Sequence, residues 1–196
     1  ASGAADILLQ TPGTLAINDL VTAGGTGNVS LVSTGGQISQ NSSGVISGSL
    51  LTTSSVSGTL LSSATNAVTS FSGNNTISGV ISLLDSTPTL TIAGSGISNS
   101  GGGAINITNT NGGVVVDQNI NANTGSVSLI AGGSNNLLNI NTGNVSGSGG
   151  VSYQADNMTL TGATIVTGGA INLIPYSSGQ IIDLGGADSS GTLGLT

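Results

Sequence analysis

The chain has 196 residues and weighs 18.6 kDa; it contains no Lys, Arg, His or Cys, and its seven acidic residues, all Asp, give a formal charge of -7. Without a cation there is no phosphate clamp and no electrostatic grip on nucleic acid or anionic lipid. Without His, Cys or Lys there is no thiol chemistry, no Schiff base, no disulfide and no Cys/His zinc site. Frequent Ile, Val and Leu argue against disorder, so stability must come from apolar burial and hydrogen bonds alone.

Read in chain order, one short unit recurs: a Gly or small residue, then apolar-x-apolar, then a turn of Gly, Ser, Thr or Asn. It opens as Gly13-Thr14-Leu15-Ala16-Ile17 and Gly27-Asn28-Val29-Ser30-Leu31. From about residue 40 to 87 the chain is richer in Ser and Thr, and its apolar pieces predict shorter or less regular coils. The unit returns as Pro88-Thr89-Leu90-Thr91-Ile92, Gly103-Ala104-Ile105-Asn106-Ile107 and Gly125-Ser126-Val127-Ser128-Leu129, then at Gly150-Val151-Ser152-Tyr153, Gly169-Ala170-Ile171-Asn172-Leu173 and Gly191-Thr192-Leu193-Gly194-Leu195. Copies starting at Ile105, Val127, Val151, Ile171 and Leu193 are spaced by 22, 24, 20 and 22 residues. Strict alternation over three to five residues predicts strands with one buried face, and no segment carries a helical period.

Short strands, about three per coil of roughly 22 residues, predict an all-β fold: a right-handed, three-sided parallel β-helix. The aromatic content of 2% is too low for a sandwich and suits a narrow interior of stacked aliphatics. The length predicts about eight or nine coils and about 40 Å of axis at the usual strand spacing. Residues 1–196 read as a single solenoid domain. No stretch approaches the roughly 18 apolar residues of a membrane helix. Ala1-Ser2-Gly3-Ala4-Ala5-Asp6 has no basic leader, and Leu193-Gly194-Leu195-Thr196 stops in mid-pattern, so the chain reads as a mature piece of something longer.

Runs such as Gly27-Asn28-Val29-Ser30-Leu31-Val32-Ser33 and Thr124-Gly125-Ser126-Val127-Ser128-Leu129-Ile130-Ala131-Gly132-Gly133 resemble the β-strand repeats of filamentous-haemagglutinin-like proteins. These are large bacterial adhesins exported by two-partner secretion, and autotransporter passengers are similar. The Asn-Pro-Asn motifs of that family's secretion domain are absent, so the likeness is to the repeat shaft. It implies secretion, a place on the bacterial surface and a fibrous shape. It names no receptor.

Any acidic site must use Asp6, Asp19, Asp85, Asp117, Asp156, Asp183 or Asp188. Only Asp183 and Asp188 are close in sequence, and Asp156 lies slightly more than one coil from Asp183. General acid–base work needs two carboxylates within about 5–10 Å; the preferred reading is that each Asp caps a turn or keeps the surface soluble. Calcium is the remaining cofactor option, but Leu184-Gly185-Gly186-Ala187-Asp188-Ser189-Ser190-Gly191 lacks the repeated calcium-turn spacing and reads as an ordinary turn. The Asn-x-Ser/Thr triplets at Asn28, Asn41, Asn74, Asn106, Asn144 and Asn157 are expected by chance, and corner Asn side chains should instead accept left-handed geometry or form ladders between coils. The Thr-x-Thr pairs at Thr87/Thr89/Thr91, Thr108/Thr110 and Thr159/Thr161 keep no constant period for an ice-binding face. Phe71, Tyr153 and Tyr176 are too scattered for a sugar platform. The sequence therefore predicts a non-catalytic structural and adhesive segment of a secreted surface fibre, with no assigned site residue and no required cofactor. Expected partners are its own end coils, or neighbouring repeats of a longer chain, and a host-surface or glycan ligand, with no nucleic acid and no membrane insertion. The alternative is a carbohydrate-binding or carbohydrate-active solenoid working through surface Asp.

Overall fold

The computed structural model describes residues 5–24, 26–166, 168–184 and 191–195. Among the described residues there is no helix, and strands pair in parallel with strands about one coil away, not with their sequence neighbours. Alternation produces this directly. In Val29–Ser33 and Val127–Ala131 every second residue is buried, so one side of each strand faces the interior and the other faces out. A single coil cannot cover its own apolar side, so each depends on the coils above and below.

Three strand columns result. The first stacks Ile7, Val29, Leu51 and Phe71, and, two residues on in each strand, Leu9, Leu31, Thr53 and Gly73, from which, past a register shift, Ile97, Ile120 and Val145 continue. The second stacks Leu15, Ile38, Thr59, Ile81, Ile105, Val127, Val151 and Ile171. The third holds Val21, Ile46, Leu90, Val114, Leu138 and Met158. The eight members of the second column mark about eight turns of a β-solenoid. Interior positions such as Val29, Ile38, Ile81, Ile105 and Val114 are fully buried.

Between residues 46 and 99 the third face runs straight into the first, through the long strands Ile46–Ser55, Thr59–Asn75 and Thr89–Asn99. Two register shifts occur here, between Leu61 and Asn66 and between Phe71 and Gly73. The repeated unit proves to serve all three faces: Gly27–Leu31 belongs to the first, Pro88–Ile92 to the third, and the copies at Leu15, Ile105, Val127, Val151 and Ile171 to the second. The expected copy at Leu193 departs from the series. Thr192–Leu195 pairs with Ile181–Leu184 and lies against Asn157–Leu160, so it does not extend the column of Ile171.

The corners explain the glycines. A Cβ on Gly103 would collide with the carbonyl oxygen of Gly79 in the rung below, and one on Gly79 with that of Ser57. Gly79 also has φ near 91°, which side chains rarely tolerate. Asn123 and Asn135 take the same left-handed region at φ 53° and 62°.

Two polar ladders are buried at corners otherwise enclosed by aliphatics. One comprises Ser33, Ser55, Asn75 and Asn99, where Asn75 Nδ2 donates to Asn99 Oδ1 at 2.9 Å and Ser55 Oγ donates to Asn75 Oδ1 at 3.2 Å. The other comprises Gln40, Asn66, Asp85 and Asn109, where Gln40 Nε2 donates to Asn66 Oδ1 at 2.6 Å. Both give way to alanine further along, at Ala122 and Ala131. Burial of amides is tolerated because their donors and acceptors find backbone partners, as where Asn99 Nδ2 reaches the carbonyls of Gly79 and Gly103 at 2.9 Å each.

Candidate functional site

Ten large apolar side chains are exposed among the described residues, and they are not spread evenly. Ile165, Ile171, Ile174, Tyr176, Ile181 and Ile182 lie in the last coil; Leu8 and Leu20 lie in the first; Ile77 and Leu137 alone lie along the shaft. For Ile171 the cause is stacking, whereas Leu8, Ile165 and Ile174 take outward positions in register with Ser30, Ser146 and Gln154. Ile171 continues an interior column in which Ile105, Val127 and Val151 are at most 1% exposed, yet it is 51% exposed because, among the described residues, no rung follows it on that face. At the other end Ile7, Leu15 and Val21 are only half-buried, whereas their partners Val29, Ile38 and Ile46 are fully covered. Among the described residues, the first coil and the second face of the last coil therefore leave core side chains partly uncovered, bordered by strand edges without a partner.

Along the shaft many outward positions are small and uncharged. On the second face one outward column reads Ser82, Asn106, Ser128, Ser152 and Asn172. Two shallow clefts interrupt the surface. One, of about 210 Å³, is lined by Thr52, Ser72, Asn74, Ser95 and Ser98 with neighbouring residues, where the Ala93–Gly96 segment bulges from the first face. The other, of about 230 Å³, is lined by Ser126, Ser128, Gly149, Ser152 and Asn172 among others. No Asp lines either cleft.

The carboxylates are instead used by corners. Asp6 Oδ1 accepts from Asn28 N at 2.7 Å, Asp19 Oδ1 from Leu20 N at 2.8 Å, and Asp117 Oδ1 from Asn141 Nδ2 at 2.7 Å. Asp85 is fully buried, with Oδ1 accepting from Val68 N at 2.9 Å and Oδ2 accepting from Thr87 N and Thr87 Oγ1 at 2.9 and 2.6 Å. The sequence reading allowed a solvated surface Asp or a turn cap; at Asp85 it is the turn cap, and it is dry. The signal was present in the spacing, since Asp85 lies one coil of 24 residues before Asn109. The approach of Asp183 to Asp188 or Asp156 that a carbohydrate-active site would need, and most of the calcium-like turn, fall outside the described side chains.

Asp156 fastens the last coil to the shaft. It is 1% exposed and accepts from Asn135 N at 3.0 Å, Ser177 N at 2.7 Å and Ser177 Oγ at 2.6 Å. Burial alone would raise its pKa, but the bonds from Ser177, Asn135 and Gln180 outweigh burial and hold the carboxyl below its ordinary value. A depressed pKa means that the clamp contributes at neutral pH and is lost as pH falls through the folded-state value, below about 4. Asp156→Asn is expected to release the 175–180 segment at neutral pH. In NMR hydrogen exchange corrected for intrinsic rates, the Ser177 amide should lose protection on acidification in the native chain, while the variant should be poorly protected at every pH.

The other singled-out residues also find structural places. Asn28 Oδ1 accepts from Leu50 N at 3.1 Å and Asn144 Oδ1 from Ala163 N at 3.1 Å, so these amides bridge rungs. Thr91 and Thr159 fall on the third face and Thr108 on the second. Phe71 and Tyr153 are fully buried; burial pushes the Tyr153 phenol up to about 12, against the opposing hydrogen bond it shares with Thr164 Oγ1 at 2.9 Å. Tyr176 is exposed. No protein-family model, curated protein or solved structure matches this chain.

Proposed function

We propose that this chain is a non-catalytic structural and adhesive segment of a secreted bacterial surface fibre, in which solenoid coils continue beyond each end. The observation that carries the reading is the concentration of exposed apolar side chains in the first and last coils, eight of the ten among the described residues, on either side of a hydroxyl- and amide-rich shaft. An open core at each end is what a stacked rod leaves wherever its next rung is removed. The lack of Lys and Arg removes every trypsin site, which suits an exposed fibre.

The mechanism is mechanical and multivalent. Paired rungs keep the backbone closed to proteases, and repeated weak contacts from Ser, Thr and Asn columns add up only when many copies are presented together. Beads carrying the chain at graded density should attach to host-cell monolayers with a steep density threshold, and soluble monomer should compete at least 100-fold less well than loaded beads. Absence of attachment at every density, or turnover of a polysaccharide by the purified chain, would overturn this reading.

A further inference from the structure

Building on that reading, we propose that the rung after Ile171–Ile174 is Leu15–Ile17 of a second copy, so that copies dock head to tail through the second face. Four observations meet here. First, Ile171–Ile174 pairs on one side only, with Val151–Gln154, and its other edge has no strand partner among the described residues. Second, Leu15–Ile17 pairs on one side only, with Ile38–Gln40, and this is the opposite side in the axial direction. The two edges are the complementary halves of one parallel ladder, which makes the contact heterologous and non-closing.

Third, the interior columns continue across the junction. The registers Leu15↔Ile38 and Val151↔Ile171 place Leu15 over Ile171, Ala16 over Asn172 and Ile17 over Leu173, aliphatic on aliphatic inside and small on polar outside. Fourth, neither strand carries a charge, while Asp6 and Asp19 stand outside the N-terminal one. The third face cannot supply the main contact, because there Thr192–Leu195, itself paired with Ile181–Leu184, already packs against Asn157–Leu160. The 175–180 segment that precedes Ile181–Leu184 is held to the shaft by Asp156 through Ser177.

The absence of cysteine allows a direct test. Ala16 and Asn172 are both exposed, and in the docked register their Cα atoms stand one strand spacing apart, about 4.8 Å, inside the disulfide range. Within one copy they are seven rungs apart, about 34 Å, so an intramolecular bond cannot form. The double variant A16C/N172C, oxidised at high protein concentration, is expected to give a ladder of disulfide-linked dimers, trimers and longer species that collapses to monomer with reductant. A16C/S128C, which pairs the end with the middle of the same face, is expected to give at least tenfold less. Adding Ile171→Asp to the first pair should abolish the ladder without unfolding the rod, since Ile171 is already half exposed. Only monomer from A16C/N172C, or equal ladders from both pairs, overturns the docking. Those outcomes leave the fibre reading standing if the same protein still attaches as coated beads, whereas failed attachment with an intact ladder sinks the fibre reading and spares the docking.

Discussion

Replacing Phe71 with alanine is expected to destabilise the rod by about 3–5 kcal/mol, the usual effect of deleting a buried aromatic ring. Phe71 is fully buried in the first column between Leu51 and Ile92. Its ring also fills the space over Gly73, an inward position with no side chain: a Cβ there would stand 3.1 Å from Phe71 Cζ. In the next coil four residues, Ala93 to Gly96, separate the partners of Phe71 and Gly73, where the Phe71 strand has only Ser72. The coil is therefore built around the ring, and its removal leaves a void that neighbouring rungs cannot close without shifting register. Because coils interact only with their neighbours, the damage should be local before it is global. Hydrogen exchange should show Leu51 and Ile92 losing protection well ahead of Val127, and urea unfolding should broaden as the two halves of the rod uncouple. Phe71→Leu, which retains much of the volume, should lose less than half as much. A sharp, unshifted transition in the alanine variant would refute this account of the site.

The same locality explains what could be read from the chain alone. Inward and outward alternation is set within a strand, so Gly103–Ile107, Gly125–Leu129 and Gly169–Leu173 announce strands and their period without knowledge of the fold. Which face a strand occupies is decided only by what lies a coil away. Gly27–Leu31 and Gly13–Ile17 look alike, yet Val29 stacks on Ile7 and Leu15 on Ile38. Leu193 shows the limit more sharply. Its spacing of 22 from Ile171 fits the repeat, but its strand pairs in parallel with Ile181–Leu184, and Leu193 is buried beside the third face. The polar ladders were harder still, because Asn at a corner and Asn on a surface turn have the same local sequence. Only stacking Asn75 on Asn99 distinguishes them.

Asp85 turns that last point into a sharper expectation. The chain contains no cation, so this fully buried carboxylate is held by hydrogen bonds alone. Asp85→Ala strips the acceptors from Val68 N and Thr87 N at once and leaves a gap in the ladder. At about 1–3 kcal/mol for each stranded buried group, a loss of about 2–6 kcal/mol is expected. Asp85→Asn is expected to behave differently, for a reason visible one rung further on. Asn109 Oδ1 is buried with no hydrogen-bond partner, and its neighbour in register is the acceptor-only Asp85. An amide at position 85 keeps an oxygen for Val68 N and gains a donor that can face Asn109 Oδ1, as Asn75 Nδ2 faces Asn99 Oδ1 in the parallel ladder. It gives up the acceptor for Thr87 N, while Thr87 Oγ1 retains the carbonyl of Val68 at 3.1 Å. The gain and the loss are of similar size, and the buried charge disappears. Thermal unfolding followed by circular dichroism at neutral pH should place Asp85→Asn within about 1 kcal/mol of the native chain and Asp85→Ala well below both. If the two variants fall together, the carboxylate is not acting as a rung of the ladder.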